Sequence, residues 1–153
     1  MKKIFLFLLM FGMLQADEDV RKVVFDLTTG NLQTFEQKVL KGITAHKTHY
    51  ESSLKELDIA VVIHGGAYKF FVKDPKNSSY KEDKELIEVH TDLKKRIVFL
   101  ADTYEVNFLM CKSGMDSNKL EEKDVYDFVS TVPNAAIGLI DKQNEGYAFI
   151  PID

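Results

Sequence analysis

Two side chains in this sequence have the type and placement to do chemistry: a cysteine and a histidine, each standing where an apolar run stops. Cys111 is the only cysteine among 153 residues. It closes the run Val106-Asn107-Phe108-Leu109-Met110 and precedes Lys112-Ser113-Gly114. A thiol attacks as its thiolate, which a neighbouring ammonium or a helix N-terminus favours. Lys112 is adjacent in sequence, and amides of the following loop can turn toward the sulfur. Packing is the competing reading, because free cysteine is among the most buried residue types. His64 follows Leu57-Asp58-Ile59-Ala60-Val61-Val62-Ile63 and leads into Gly65-Gly66-Ala67-Tyr68. An imidazole there can act as a base, orient a thiolate or donate to an oxyanion near neutral pH. Its plainer role is to cap the loop with hydrogen bonds. Gly65 and Gly66 allow the backbone to approach a ligand closely, although the turn matches neither GxGxxG nor GxxxxGK[ST].

Other candidates are weaker. His46 and His49 lie three apart, but no third ligand accompanies them at a recognisable spacing, so a solvated helix face is the better reading than metal. His90 falls on the inward stripe of a long helix and reads as a core histidine satisfied by hydrogen bonds. Glu121-Glu122-Lys123-Asp124 reads as the charged first turn of a helix. No metal or cofactor is expected.

These side chains need a scaffold, and the hydrophobic pattern supplies one. Arg21–Leu27 reads as a buried strand ended by Thr28-Thr29-Gly30-Asn31. Leu32, Phe35, Val39, Ile43, His46, Tyr50 and Leu54 then recur at helical steps. Leu57–Ile63 is apolar almost throughout, as expected of a strand covered on both faces. A short helical stretch, Tyr68–Val72, and a polar loop, Asp74–Tyr80, follow. A long helix spans about Glu82–Thr103. Val106–Met110 is the third strand, and a loop over Lys112–Lys119 leads to a brief helix at about Glu121–Phe128. Val129–Val132 is the fourth strand, stopped by Pro133. Asn134 caps a helix over Ala135–Asn144 that Gly146 closes in the left-handed conformation. Tyr147–Ile150 is the last strand, ended by Pro151.

Alternating strands and helices indicate βαβ units and a parallel sheet covered on both faces. Such a sheet gathers ligands beyond the carboxyl ends of its strands. His64–Tyr68, Cys111–Met115 and Pro133–Ala135 all reach that edge. If the second and third strands are neighbours, His64 and Cys111 share one crevice.

The N-terminus reads Met1-Lys2-Lys3, then 11 largely apolar residues, Ile4–Leu14, then Gln15-Ala16-Asp17. That stretch is shorter than the roughly 20 residues of a spanning helix, and it fits a signal peptide, residues 1–16, cut after Ala16. Residues 17–153 would form a single α/β domain, periplasmic or otherwise exported. Without Lys2 and Lys3, 18 of the 20 basic residues remain against 24 acidic ones, a formal charge of −6. That balance argues against nucleic acid or an anionic lipid surface as partner, and no stable membrane insertion is expected after cleavage. One cysteine rules out an internal disulfide framework.

The chain resembles the DsrE/DsrF-like family, particularly its small stand-alone, YchN-like members. The likeness covers nearly all of Val23–Pro151. It rests on Val61-Val62-Ile63-His64-Gly65-Gly66-Ala67, on the strand running to Cys111, and above all on the ending. There, Val132-Pro133-Asn134-Ala135-Ala136-Ile137-Gly138 is followed by Lys142-Gln143-Asn144-Glu145-Gly146-Tyr147-Ala148-Phe149-Ile150-Pro151. The resemblance implies a three-layer α/β/α fold with five parallel strands in the order 4-3-2-1-5. It also implies assembly into trimers or hexamers. Some relatives carry sulfur as a cysteine persulfide, and Cys111 stands at the matching strand end. Those relays are cytoplasmic, whereas this chain reads as exported, and likeness of fold does not by itself carry catalysis across.

Two functions compete. In the first, Cys111 accepts sulfane sulfur from a donor protein or small sulfur compound. His64 and Lys112 stabilise the anionic sulfur, Gly65, Gly66 and Tyr68 line the crevice, and Asn134 helps hold the anion at a helix N-terminus. In the second, the crevice belongs to a non-catalytic, oligomeric binding or assembly module with an inert Cys111. Tyr68, Phe70, Phe71 and Tyr80 would then be exposed aromatic contacts between subunits.

Overall fold

The computed structural model describes residues 20–153. The signal peptide expected over residues 1–16 lies outside the described residues. The elements are β1 (Arg21–Leu27), α1 (Leu32–Thr34), a π-helical segment (Phe35–Lys41), α2 (Gly42–Ser52), β2 (Leu57–Ile63), α3 (Lys84–Tyr104), β3 (Asn107–Cys111), α4 (Lys112–Met115), β4 (Ser130–Val132), α5 (Ala135–Asn144) and β5 (Ala148–Ile152). Short 3-10 turns occupy Ala67–Phe71, Pro75–Asn77 and Glu122–Asp124.

Five parallel strands form one sheet in the order β4-β3-β2-β1-β5, as the resemblance implies. Side chains alternate between the faces of a strand, and that alternation sorts the core into two layers. Phe25 stacks on His46 of α2, and Phe108 packs against Phe71, which meets Phe35 edge-on. These contacts place the α1–α2 segment and the Ala67–Phe71 turn on one face. The opposite face, with Val24, Val62 and Leu109, is packed by α5, whose first turn reaches Cys111. Ile59, Val61, Val62 and Ile63 are fully buried, as the unbroken apolar run of β2 requires.

Several local expectations need correction. The first helical stripe is broken by the π-helical turn, in which Phe35, Val39 and Leu40 are buried. Gly42 accordingly donates to Gln37 O, five residues back. The stripe falls out of phase beyond it. His46 is exposed, and Leu54 lies past the helix at φ 54°, 98 % exposed. The helix expected over Glu121–Phe128 reduces to the turn at Glu122–Asp124, where the Asp124 carboxylate accepts from Glu121 N. Conversely, the expected loop after β3 begins with the single turn of α4.

Pro151 does not end β5. Thr28 N donates to Ile152 O at 2.9 Å, so Ile152 faces β1 and the residue before it faces the open edge. A missing N–H costs nothing there, and it blunts the edge against further strands.

The aromatic contacts expected between subunits are also overturned. Tyr68, Phe70 and Phe71 are at most 1 % exposed, and Tyr80 is half-buried with its hydroxyl donating to Asn118 Oδ1 at 2.9 Å. They are packed into the chain's own core, with Phe35 and Phe70 stacked 4.2 Å apart. His90, as expected, is satisfied in place: Nε2 donates to Val72 O at 3.0 Å and lies 3.2 Å from the Tyr126 hydroxyl.

Candidate functional site

Cys111 is the last residue of β3 and the first cap of α4. It is 5 % exposed. Its Sγ lies 3.2 Å from Ser113 Oγ, and its carbonyl accepts from the buried Tyr68 hydroxyl at 2.7 Å. Burial pushes the thiol up, but hydrogen bonds outweigh it, from the Ser113 hydroxyl and the backbone N–H groups of Gly114 and Ala135, with the Tyr68 phenol, its proton on the Cys111 carbonyl, close beside them. The thiol therefore titrates below its ordinary range. A sulfur anion held by a hydroxyl and main-chain amides, one of them in the first turn of the ten-residue α5, is chemically an anion cradle.

The cradle requires Gly114. A Cβ there would stand 2.2 Å from the Tyr68 hydroxyl oxygen and 3.0 Å from Cζ. Tyr68 is held to 1 % exposure by the core around it, so its ring has little room to yield. Burial and the neighbouring thiol push the Tyr68 phenol upward, which keeps it a donor.

The expected partners of Cys111 are redistributed. Lys112 is not one of them: its ammonium reaches Glu122 Oε1 at 3.0 Å, with side chains 65 % and 60 % exposed. Asn134 caps α5 by accepting from Ile137 N at 2.9 Å, so the anion-facing donor in that turn is the amide of Ala135 rather than the Asn134 side chain. Gly65 and Gly66 do permit a close approach, but to the chain itself. A Cβ at Gly65, where φ is +60°, would lie 2.9 Å from Thr28 O, and one at Gly66 would lie 2.8 Å from Gly30 N. The turn is stitched to the end of β1 by His64 N to Leu27 O at 3.0 Å and Gly66 N to Thr28 O at 2.8 Å.

His64 stands at the same sheet edge as Cys111, since Ile63 pairs with Met110. Its imidazole is not hydrogen-bonded to the thiol. Nε2 instead meets Asp26 Oδ1 at 2.5 Å. Ser113 and Asp26 are thus the site residues that sequence reasoning passed over. Each left a signal: a hydroxyl two residues beyond the only cysteine, and a carboxylate inside the otherwise apolar Val23-Val24-Phe25-Asp26-Leu27. Among the described residues, no group of three or more His, Cys, Asp or Glu side chains could hold a metal, and no helix is long and apolar enough to cross a membrane. A separate cleft of about 480 Å³ opens near the amino end of the sheet between Phe25, His46, Tyr50 and Ile150, away from Cys111.

Comparison with known proteins agrees with this architecture. An uncharacterized protein of Aquifex aeolicus (strain VF5) is 34 % identical over 152 residues, covering 99 % of this chain and 64 % of that relative. The chain thus spans about two thirds of the length of the curated relative it matches. The solved structure of MTH1491, a protein of unknown function from Methanobacterium thermoautotrophicum, superposes with a TM-score of 0.55 at 19 % identity, over 86 % of this chain and 98 % of that one. That likeness shows the fold. The model of the DsrE/DsrF-like family matches residues 22–152, and the chain belongs to that family.

Proposed function

We propose that this chain carries sulfane sulfur as a persulfide on Cys111. The observation behind the reading is the cradle of the Ser113 hydroxyl and the Gly114 and Ala135 amides, which favours the thiolate at a sheet edge where ligands of α/β folds gather. In loading, the Cys111 thiolate attacks the outer sulfur of a donor persulfide. A new S–S bond forms to Sγ, and the bonding pair of the old S–S bond leaves with the donor as thiolate. In unloading, an acceptor thiolate attacks the outer sulfur in turn, and the electron pair returns to Sγ. Neither step needs a metal, nucleotide or external oxidant. The donor and acceptor are proteins with a reactive thiol or small sulfur compounds.

The proposal includes export to the periplasm by residues 1–16 and self-assembly into trimers or hexamers. Ile140, Phe149, Ile150 and Ile137 support assembly: each is between 39 % and 55 % exposed, and apolar side chains so disposed suit a subunit contact.

The test is intact-mass spectrometry of the protein from its native compartment, with and without reductant, after thiol alkylation. A reductant-sensitive gain of one or more sulfur atoms, mapped to Cys111, is expected. A thiol that is unmodified and alkylates only after denaturation would overturn the carrier function and leave an oligomeric binding or assembly module, consistent with the 5 % exposure of Cys111. The same sample, run by light scattering on a sizing column, reports the subunit number.

A further inference from the structure

We propose that Asp26 is a positioning residue for the sulfur site: it fixes His64 so that the open ring nitrogen takes the proton of an incoming acceptor thiol. The inference rests on the persulfide reading and adds to it the group that activates the acceptor.

The sheet register brings the three residues to one edge. Asp26 pairs with Val62, and Val62 with Leu109. Two residues further along β2 and β3 come His64 and Cys111, so all three stand on the α5 face at the carboxyl ends of three adjacent strands, which run about 4.8 Å apart. The Nε2–Oδ1 contact of 2.5 Å confirms that His64 keeps to the face of Asp26, although it lies beyond the end of β2. The pair is sheltered yet reachable, its side chains 29 % and 18 % exposed. It is not needed to tether the turn, because backbone bonds from His64 and Gly66 to Leu27 and Thr28 already do so.

A carboxylate only accepts hydrogen bonds, so the bond to Asp26 assigns the proton of the neutral ring to Nε2 and the lone pair to Nδ1. Nδ1 has no partner among the described residues. An acceptor thiol gives its proton to Nδ1 and becomes the thiolate. That thiolate attacks the outer sulfur of the Cys111 persulfide and forms the new S–S bond. The Sγ–S bonding pair returns to Cys111, whose thiolate is received by the cradle. The products are an acceptor persulfide, a Cys111 thiolate and an imidazolium whose charge is balanced by Asp26. No net oxidation or reduction occurs.

The test loads the wild-type chain and its Asp26→Asn, Asp26→Glu and His64→Gln variants with inorganic tetrasulfide. Intact mass measures loading, and stopped single-turnover mixing with N-acetylcysteine measures unloading. General-base assistance is worth about 10²–10⁴ in rate. His64→Gln should therefore unload at least about a hundredfold more slowly, and Asp26→Asn about tenfold or more, with partial recovery in Asp26→Glu. Loading is read on each variant first, so that unloading is timed from chains shown to carry sulfur. The ¹⁵N signals of the His64 ring should show Nε2–H in wild type and a mixture of tautomers in Asp26→Asn, a readout that a merely structural role would not move. Variants that carry sulfur and unload at the wild-type rate would overturn the role of Asp26 while leaving Cys111 a carrier. A wild-type chain that never gains sulfur would overturn both.

Discussion

Removing the Ser113 hydroxyl tests the cradle most directly. Ser113 Oγ lies 3.2 Å from Sγ, and it heads the donors that lower the thiol's titration. A hydrogen bond to a charged group contributes about 1.5–3 kcal/mol. Ser113 is exposed, so water replaces part of the loss in Ser113→Ala, and the low end applies, about tenfold in the thiol–thiolate equilibrium. The thiolate of the variant is more basic and, with a Brønsted slope of about 0.4–0.5, intrinsically about threefold more nucleophilic. In exchange with a small aromatic disulfide across a pH series, the two rate profiles should therefore cross. Below both midpoints Ser113→Ala should react about three- to fourfold more slowly, because tenfold less thiolate is offset by threefold reactivity. On the alkaline plateau it should react about threefold faster. Ser113→Thr, which keeps a hydroxyl, should follow wild type. Superimposable profiles for Ser113→Ala and wild type would refute the reasoning, since a change in access alone moves both limbs together.

Four further outcomes follow from the same geometry. A thiol whose titration is lowered by folding adds stability as pH rises from its native midpoint to its unfolded value near about 8.5. Wild type should gain on Cys111→Ser over that window in urea unfolding and lose the increment as pH falls below it; parallel stability curves would contradict the lowered titration. Lys112→Met should change the disulfide exchange rate by less than about twofold, because that ammonium is solvated and paired with Glu122 rather than with sulfur. Gly66→Ala should lower stability by about 1–3 kcal/mol, read as a shifted urea midpoint, since its Cβ would press on the Gly30 backbone at 2.8 Å. Leu54→Gly should raise stability by about 0.5 kcal/mol, read as a higher urea midpoint: relief of a left-handed leucine, about 1–2 kcal/mol, outweighs the freedom added to the unfolded chain, about 0.4–1 kcal/mol.

What the sequence determined by itself was local and periodic. The unbroken apolar run of β2, the stripe of α3, the Asn134 cap and Gly146, observed at φ +91°, each announce an element, because hydrophobic period and capping chemistry act within a few residues. The edge position of Cys111 and His64 was legible for the same reason: both stand where an apolar strand gives out. Only the tertiary structure decided which groups meet there. Lys112 is next to Cys111 in sequence, yet a residue's immediate neighbour at a strand end points away, and its ammonium goes to Glu122. Tyr68, 43 residues earlier, instead holds the Cys111 carbonyl, and the thiol is served by the Ala135 amide, which Pro133 and the neighbouring strand β4 deliver. Asp26 and His64 lie 38 residues apart in sequence, and parallel pairing of β1 with β2 is what joins them. The aromatic run at Tyr68–Phe71 looked exposed because it follows a turn; packing against Phe35 and Phe108 buries it. Sequence period sets which face a side chain takes, whereas strand register and crossover connections, summed over the whole chain, set what it touches.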